Sequence, residues 1–330
     1  MDKKAIIARS ELTKLIRLFF EKNNYLEVST PILSPTLIPE STIANFATQY
    51  ISDINRSREL YLVPSPEIFM KPILKEVNQS IYQISKCFRN KEQLGIHHNI
   101  EFTMLEYYTI GADDTDSIGI TEELLRMSSL KGTPEYALPP FIQMSVNEAT
   151  KKYAHIDLDH LQSIQKIRKA AIDLGLSLPQ QIESWEDTFH RIFLTFVEPN
   201  LPKHKPVILT QYPQQIDCLA KGIPHTPYRK RWEMYIGGVE IANCYDEEID
   251  KERVKAFYQK EYAKLVSERN ITGDVIPDID YSFADIFDST YPQSSGVAIG
   301  LDRLLMVQLG CNSLEDLILF QLSDMLIGVR

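Results

Sequence analysis

The stretch that most constrains the fold is Phe102-Thr103-Met104-Leu105-Glu106-Tyr107-Tyr108. Its period of two makes it a strand with two unlike faces. Phe102, Met104, Glu106 and Tyr108 share one face, and Thr103, Leu105 and Tyr107 the other. A carboxylate set between a methionine and a phenol on a half-buried face needs a positive partner, because an unpaired buried charge is costly. The preceding strand starts at Ile81-Tyr82-Gln83-Ile84 and ends at Phe88-Arg89, where a guanidinium can meet an anion. A long polar loop from Asn90 to Ile100 joins the two strands. Together they predict a pocket that takes an anionic group at Arg89 and a cationic one at Glu106.

The flanking segments fit around that pair. Residues 4–22 read as an amphipathic helix, with Leu12, Leu15, Ile16, Phe19 and Phe20 on one stripe and Asn23-Asn24 as its end. Tyr25 to Leu33 reads as an edge or interface strand, since Pro31 cannot donate a ladder hydrogen bond. Short strands are expected near Ala44–Gln49 and at Leu60–Val63. Pro64-Ser65-Pro66-Glu67 then makes a stiff turn that fixes where Glu67 points at the start of a helix. Taken alone, Glu67 reads first as a carboxylate serving that helix's dipole. Residues 111–205 are mainly helical: one helix starts at Thr121 and ends near Lys131-Gly132, and another spans Leu161–Leu174. The aromatic stripe Trp185, Phe189, Ile192, Phe193 and Phe196 is packing core. His155, His160, His190 and His204 lack metal-ligand spacing.

Val207–Pro213 is a buried-type strand, and Trp232 to Asn243 is a hairpin turning at Gly237-Gly238. That hairpin carries Glu233 and Glu240, and Glu247 follows. Strand glutamates among apolar neighbours suggest Mg²⁺ or a bound amine, with solvent-facing glutamates as the alternative. A charged helix follows from Glu247 to Arg269, and Ser294 to Met306 reads as a Gly-punctuated strand feeding a helix. Arg303 in that helix's first turn can reach a phosphate, although the spacing is neither a P-loop nor G-x-G-x-x-G.

Totals narrow the class. The 330 residues, 44% hydrophobic, suffice for a sizeable core. A net charge of −10 argues against a dedicated nucleic-acid binder. Four scattered cysteines (Cys87, Cys218, Cys244, Cys311) form no disulfide framework and fit a reducing cytosol. With no signal peptide and no run of transmembrane length, the expectation is a soluble, cytoplasmic protein away from membranes.

The chain resembles the catalytic domain of class II aminoacyl-tRNA synthetases of the lysyl type. Three motifs stand in order: the stretch ending in Pro31, Phe88-Arg89 through Glu101-Phe102, and Gly300-Leu301-Asp302-Arg303. Lysyl-type landmarks join them: Ser65-Pro66-Glu67, His98-Asn99, Phe102 to Tyr108, and Glu240-Ile241-Ala242-Asn243. The likeness covers nearly the whole chain. Because the chain begins at the helix before the first motif, with no room for an N-terminal anticodon-binding OB domain, it is most similar to truncated lysyl-tRNA synthetase paralogs, the elongation factor P lysine ligases. The resemblance implies an α+β fold in one catalytic domain: an antiparallel six- to seven-stranded sheet flanked by helices, with a helical insertion at about 111–205, working as a homodimer. It implies ATP-dependent activation of (R)-β-lysine or lysine as an aminoacyl-adenylate, then transfer to a lysine side chain of elongation factor P, without anticodon recognition. A free-standing lysine-activating enzyme with another acceptor and a catalytically silent synthetase-like regulator are the alternatives.

By the same resemblance, Arg89 bridges the α-phosphate and the substrate carboxylate, and Arg303 stacks on adenine or holds the γ-phosphate. Asn90, Lys91, Glu92, His98, Asn99, Phe102, Met234 and Gly300 belong with ATP, Phe102 by stacking on the base. Glu233 and Glu240 bind ATP and Mg²⁺. Ser65, Pro66 and Glu67 take the substrate α- or β-amino end; Glu106, Tyr108 and Glu247 hold the ε-ammonium; Asn243 lies near the carboxylate, and Ala298 lines the pocket. The sequence departs from the family at four points. Lys91 intervenes in the usual Arg-Asn-Glu, lengthening the loop to Asn99, with Glu92 in line for the adenine-reading role. Ile100 replaces a proline. Cys244 replaces a glycine, adding bulk expected beside the substrate. Ala298 replaces the glycine of lysyl-tRNA synthetases, a methyl expected to disfavour α-lysine.

Overall fold

The computed structural model describes residues 3–52, 56–92, 95–179, 183–322 and 325. Helix α1 (Lys3–Lys22) buries Leu12, Ile16, Phe19 and Phe20, four of the five predicted stripe residues. It ends as expected at Asn24, whose φ of 60° is left-handed. Tyr25–Leu33 is not one strand. It holds β1 (Leu26–Glu27) and β2 (Leu33–Ser34), which join different sheets on either side of Pro31. β2 pairs with β4 (Ser57–Leu62), which pairs with β3 (Ala47–Ile51), in a small three-stranded sheet.

After the proline turn comes α2 (Glu67–Val77), then β5 (Ile81–Phe88) and β6 (Glu101–Ile110). Helix α3 (Asp114–Ser128) starts earlier than Thr121, because Asp113 and Asp116 form a reciprocal capping box. Strand β7 (Ile142–Ser145) leads into α4 (Val146–Tyr153), α5 (Ile164–Asp173) and α6 (Trp185–Ile192). Strands β8 (Val207–Pro213), β9 (Tyr228–Ile236) and β10 (Val239–Asp246) follow, then α7 (Lys251–Thr272), β11 (Ser294–Gly300) and α8 (Leu301–Gln308). Both predicted hairpin glycines have positive φ, 63° at Gly237 and 88° at Gly238, the backbone that a two-residue type I′ turn requires.

The main sheet has the order β1-β5-β6-β11-β10-β9-β8-β7. It corrects the antiparallel six- to seven-stranded expectation: the sheet is mixed and eight-stranded. β5 through β8 along that order are antiparallel, but β1 pairs parallel to β5 and β7 parallel to β8. These two short edge strands extend the sheet at either side.

The two faces of β6 separate as the alternation predicts. Leu105 and Tyr107 enter the main core with Phe20, Tyr82 and residues of α3 and α8. Phe20 stacks on Tyr82 at 4.3 Å, and the Tyr107 hydroxyl and Thr121 Oγ1 share a 2.7 Å hydrogen bond. With α1, α3 and α8 covering this face, the opposite face is left for Met104, Glu106 and Tyr108. A second core gathers Trp185, Phe189, Ile192 and Phe193 against β8 residues Val207 and Leu209, the packing role assigned to that stripe. Helix α3 contributes Ile118, Leu124 and Leu125 to the main core, so within 111–205 the separately packed part is α4–α6. Among the described residues, no helix is long and apolar enough to cross a membrane.

Candidate active site

Two cavities open side by side on the uncovered face, with Arg89, Met104, Asn243 and Ala298 in the walls of both. One is built around Glu106. Its neighbours on β6, Met104 and Tyr108, line the cavity with it. Ser65 Oγ donates to Glu106 Oε2 at 2.6 Å, and the Tyr108 hydroxyl to Oε1 at 2.7 Å. Ser65 also accepts from the Glu67 backbone N–H at 3.1 Å, so the proline turn delivers both residues to one place. Burial first, and then the charge of Glu67, push the Glu106 carboxyl up to about 8 against the pull of these two donors.

The far wall holds Glu247, which meets a cation that sequence reasoning missed. Lys71, on the second turn of α2, is fully buried. Its ammonium pairs with Glu67 and stands 2.8 Å from Glu247 Oε2. Burial would lower the Lys71 pKa, but Glu247 and Glu67 outweigh it and hold the ammonium charged. Burial also raises the Glu247 carboxyl, to about 7, with Lys71 opposing. The cavity thus gathers four carboxyl groups (Glu40, Glu67, Glu106 and Glu247) around two cations, Lys71 and Arg89. Gly296 keeps it open: a Cβ there would collide with Glu247 Oε1 and lie 2.7 Å from the Tyr108 ring.

The other cavity is lined by Arg89, Glu92, His98, Asn99, Phe102, Glu240, Gly300 and Arg303, among others. Arg89 lies over the Phe102 ring, 5.2 Å from its centroid, and its Nε is buried without a hydrogen-bond partner. Arg303 is fixed by two backbone carbonyls, Nε donating to His97 and Nη1 to Glu240, each at 2.9 Å. Burial and the Arg303 charge lower the His98 pKa, which favours a neutral ring. Asp302 is structural: it accepts from the Thr103 backbone N–H at 2.6 Å and pairs with Arg9 at 2.6 Å, tying α8 to β6 and α1. Ile100 accepts from the Arg89 N–H at 3.0 Å through its carbonyl, a group that proline also has.

Some expected residues stand elsewhere. Lys91 lines neither cavity: its φ is 57° and its ammonium pairs with Asp274. Asn90 is held in a bridge to Ala44, and Glu92 is the member of this run that lines the cavity of Phe102 and Arg303. Gln93 and Leu94 of the lengthened loop lie outside the described residues. Met234 is buried in the main core beneath the sheet. Pro66 caps α2 and stays behind Ser65 and Glu67. Cys244 does not crowd the cavity built around Glu106. Alternation along β10 turns it to the opposite face from Asn243, and its Sγ lies 3.0 Å from Ser117 Oγ in the core.

Glu233 is also committed. Its Oε2 accepts from the Tyr212 and Tyr235 hydroxyls at 2.6 and 2.7 Å, and Oε1 from Arg231 at 2.5 Å. Among the described residues no group of three or more His, Cys, Asp or Glu side chains is arranged to hold a metal ion. At Glu240, burial and the Glu233 charge push the carboxyl up to about 7, against the charges of Arg303, Arg89 and Arg231. One open carboxylate backed by a second fits Mg²⁺, which takes one or two carboxylates and fills its shell with phosphate oxygens and water.

The family described as tRNA synthetases class II (D, K and N) matches residues 2–323. The chain belongs to that family and is an ATP-dependent ligase of its type. Among curated relatives, the elongation factor P--(R)-beta-lysine ligase of Vibrio vulnificus is 31% identical over 316 residues, 94% of either chain. The protein of that name from Buchnera aphidicola is 33% identical over 96% of this chain and 94% of its own. A lysine--tRNA ligase of Pelotomaculum thermopropionicum is 31% identical over 97% of this chain but only 63% of its own.

Proposed function

We propose that the protein activates (R)-β-lysine, or lysine, with ATP and transfers it to a lysine side chain of elongation factor P. The observation that carries this reading is the surplus of carboxyl groups in the cavity beyond Arg89. Two cations face four carboxyls there, so an incoming diamino acid supplies the missing positive charge. A dicarboxylic acid would add to the repulsion. Arg89, in the walls of both cavities, sits where the substrate carboxylate meets the α-phosphate. A preorganised guanidinium there stabilises charge as the carboxylate displaces pyrophosphate. Phe102 and Arg303 flank the base, with His98, Asn99 and Glu92 along the nucleotide. Glu240, backed by Glu233, would hold Mg²⁺, which neutralises phosphate charge when bound. Glu106 and Tyr108 receive the distal ammonium. Glu67 and Glu247, bridged by Lys71, shape the rest of the charge field.

The names and near-complete coverage of the ligase relatives support elongation factor P as the acceptor. The partly exposed apolar residues Leu26, Ile32 and Leu33 beside Pro31 suit the homodimer contact, and the cytoplasm is where ATP and this acceptor meet. The deciding experiment has two stages. Pyrophosphate exchange with α-lysine and (R)-β-lysine is expected; absence of exchange with either refutes activation. The mass of elongation factor P after incubation with enzyme, ATP and each isomer is expected to rise by one lysyl residue. Exchange without that increase assigns the adenylate to another acceptor.

A further inference from the structure

A third cavity meets the other two at Arg89 and Asn243. It opens outward between the β2–β3 loop, α6 and α7, past Glu186 and Glu261. Nucleotide and amino acid account for the first two cavities, and this one leads from solvent to the point where the adenylate carbonyl would lie. Glu40, on the β2–β3 loop, lines both the amino-acid cavity and this third one. Its loop is pinned: the Ser41 N–H donates to Glu261 Oε1 at 2.7 Å, and Arg269 donates to the Glu40 carbonyl at 3.3 Å. The other carboxyls of the pocket have partners, Lys71 for Glu67 and Glu247, and Ser65 with Tyr108 for Glu106. The described residues show no hydrogen bond or ion pair for the Glu40 carboxylate.

We propose that the third cavity admits the acceptor's primary ammonium and that Glu40 is the base that takes its proton. This rests on the adenylate reading above. The acceptor arrives as R–NH₃⁺, and one proton passes to the Glu40 carboxylate. The freed lone pair attacks the adenylate carbonyl carbon. The C–N bond forms, the bond from that carbon to the phosphate oxygen breaks, and AMP leaves with the electron pair. The second nitrogen proton goes to water as the amide forms. The electrostatics agree. Burial and the Glu67 charge push the Glu40 carboxyl up to about 7, against Arg89 and Lys71, with Glu261 raising it further. Tyr245 and Tyr258 also face it. A base poised near neutrality combines an available ionised form with useful proton affinity.

The test compares the wild type with Glu40→Gln in the full chain at three readouts: pyrophosphate exchange with the amino acid, hydroxamate formation with hydroxylamine, and transfer to elongation factor P. Hydroxylamine is largely unprotonated near neutral pH and needs no base. Because Glu40 is also one of the four carboxyls of the amino-acid cavity, E40Q is expected to lower exchange and hydroxamate formation together by less than about tenfold, while protein transfer falls by a further factor of about 10²–10⁴. The deficit should shrink as pH rises and free amine accumulates. A matching fall in exchange would place Glu40 on the amino acid and overturn the inference, as would equal losses with both acceptors. Unimpaired transfer by E40Q alongside intact exchange refutes the inference alone, whereas a wild type that cannot exchange refutes the adenylate reading beneath it.

Discussion

Glu106→Gln separates the two cavities. Glutamine keeps the shape of the side chain and can still bond Ser65 and Tyr108, whose hydroxyls sit 2.6 and 2.7 Å from the carboxylate. What it loses is the charge proposed to receive the distal ammonium. A hydrogen bond to a charged group is worth about 1.5–3 kcal/mol, which converts to a roughly 10- to 150-fold rise in the KM for lysine. The KM for ATP should hold, because Glu106 lines the cavity proposed for the amino acid and not its neighbour. Protonation gives an independent signature. With its carboxyl pushed up to about 8, Glu106 is mostly protonated at neutral pH and must ionise to bind an ammonium. Lysine affinity of the wild type therefore rises from pH 6 to 8, and E106Q flattens that slope. Pyrophosphate exchange, with lysine and ATP varied separately at each pH, reads both effects. Equal losses for lysine and ATP, or an unchanged slope in the variant, would refute the assignment of Glu106 to the ammonium.

Three more expectations follow from the same cavity. Lys71→Met leaves Glu67 and Glu247 facing each other without their shared cation, at a cost of about 3–5 kcal/mol at pH 8. The loss shrinks at pH 5, where Glu247 takes up a proton; equal urea midpoints for variant and parent at pH 8 would rule out Lys71 as the counter-ion. Gly296→Ala puts a methyl against Glu247 and 2.7 Å from Tyr108, so lysine-dependent exchange should be lost while a fluorescent ATP analogue still binds; wild-type exchange would show that the pocket floor yields. Without ligand, Glu40, Glu106, Glu240 and Glu247 have folded pKa values of about 7 to 8 against an ordinary 4.5. The folded state therefore binds more protons than the unfolded chain across that window, and stability falls as pH rises from about 4.5 to 8. Thermal melts should show this, and a Tm rising over the same range would contradict the charge surplus.

How much of the site was legible depends on whether local periodicity carries it. The strand holding Glu106 was readable because alternation fixes which side chains share a face, and Leu105 and Tyr107 went to the core as that rule requires. The Gly237-Gly238 turn was readable because positive φ is chemically restricted. Lys71 and Glu40 were not, for opposite reasons. A lysine one turn into a short helix has the pattern of a solvated residue, and only the three-dimensional meeting of α2 with Glu247 buries it. Glu40 lies in an irregular segment with no period at all, positioned by Arg269 and Glu261 from a helix more than two hundred residues away in sequence. The edge strand β7 was missed because four residues are too few to show a pattern, whereas Tyr25–Leu33, read as one edge strand, holds the edge strand β1 and the separate β2. The same alternation accounts for Cys244. If Asn243 faces the substrate, its neighbour on the strand faces away, and the thiol is absorbed beside Ser117 and Trp232. The substitution that can act on the amino acid is then Ala298, which lines both cavities and pairs across the sheet with Glu106 on one side and Asn243 on the other. Two residues along the same strand face, Gly296 has no room for a methyl, whereas Ala298 carries one. Discrimination between α- and β-lysine should therefore follow the size of residue 298 and be indifferent to residue 244.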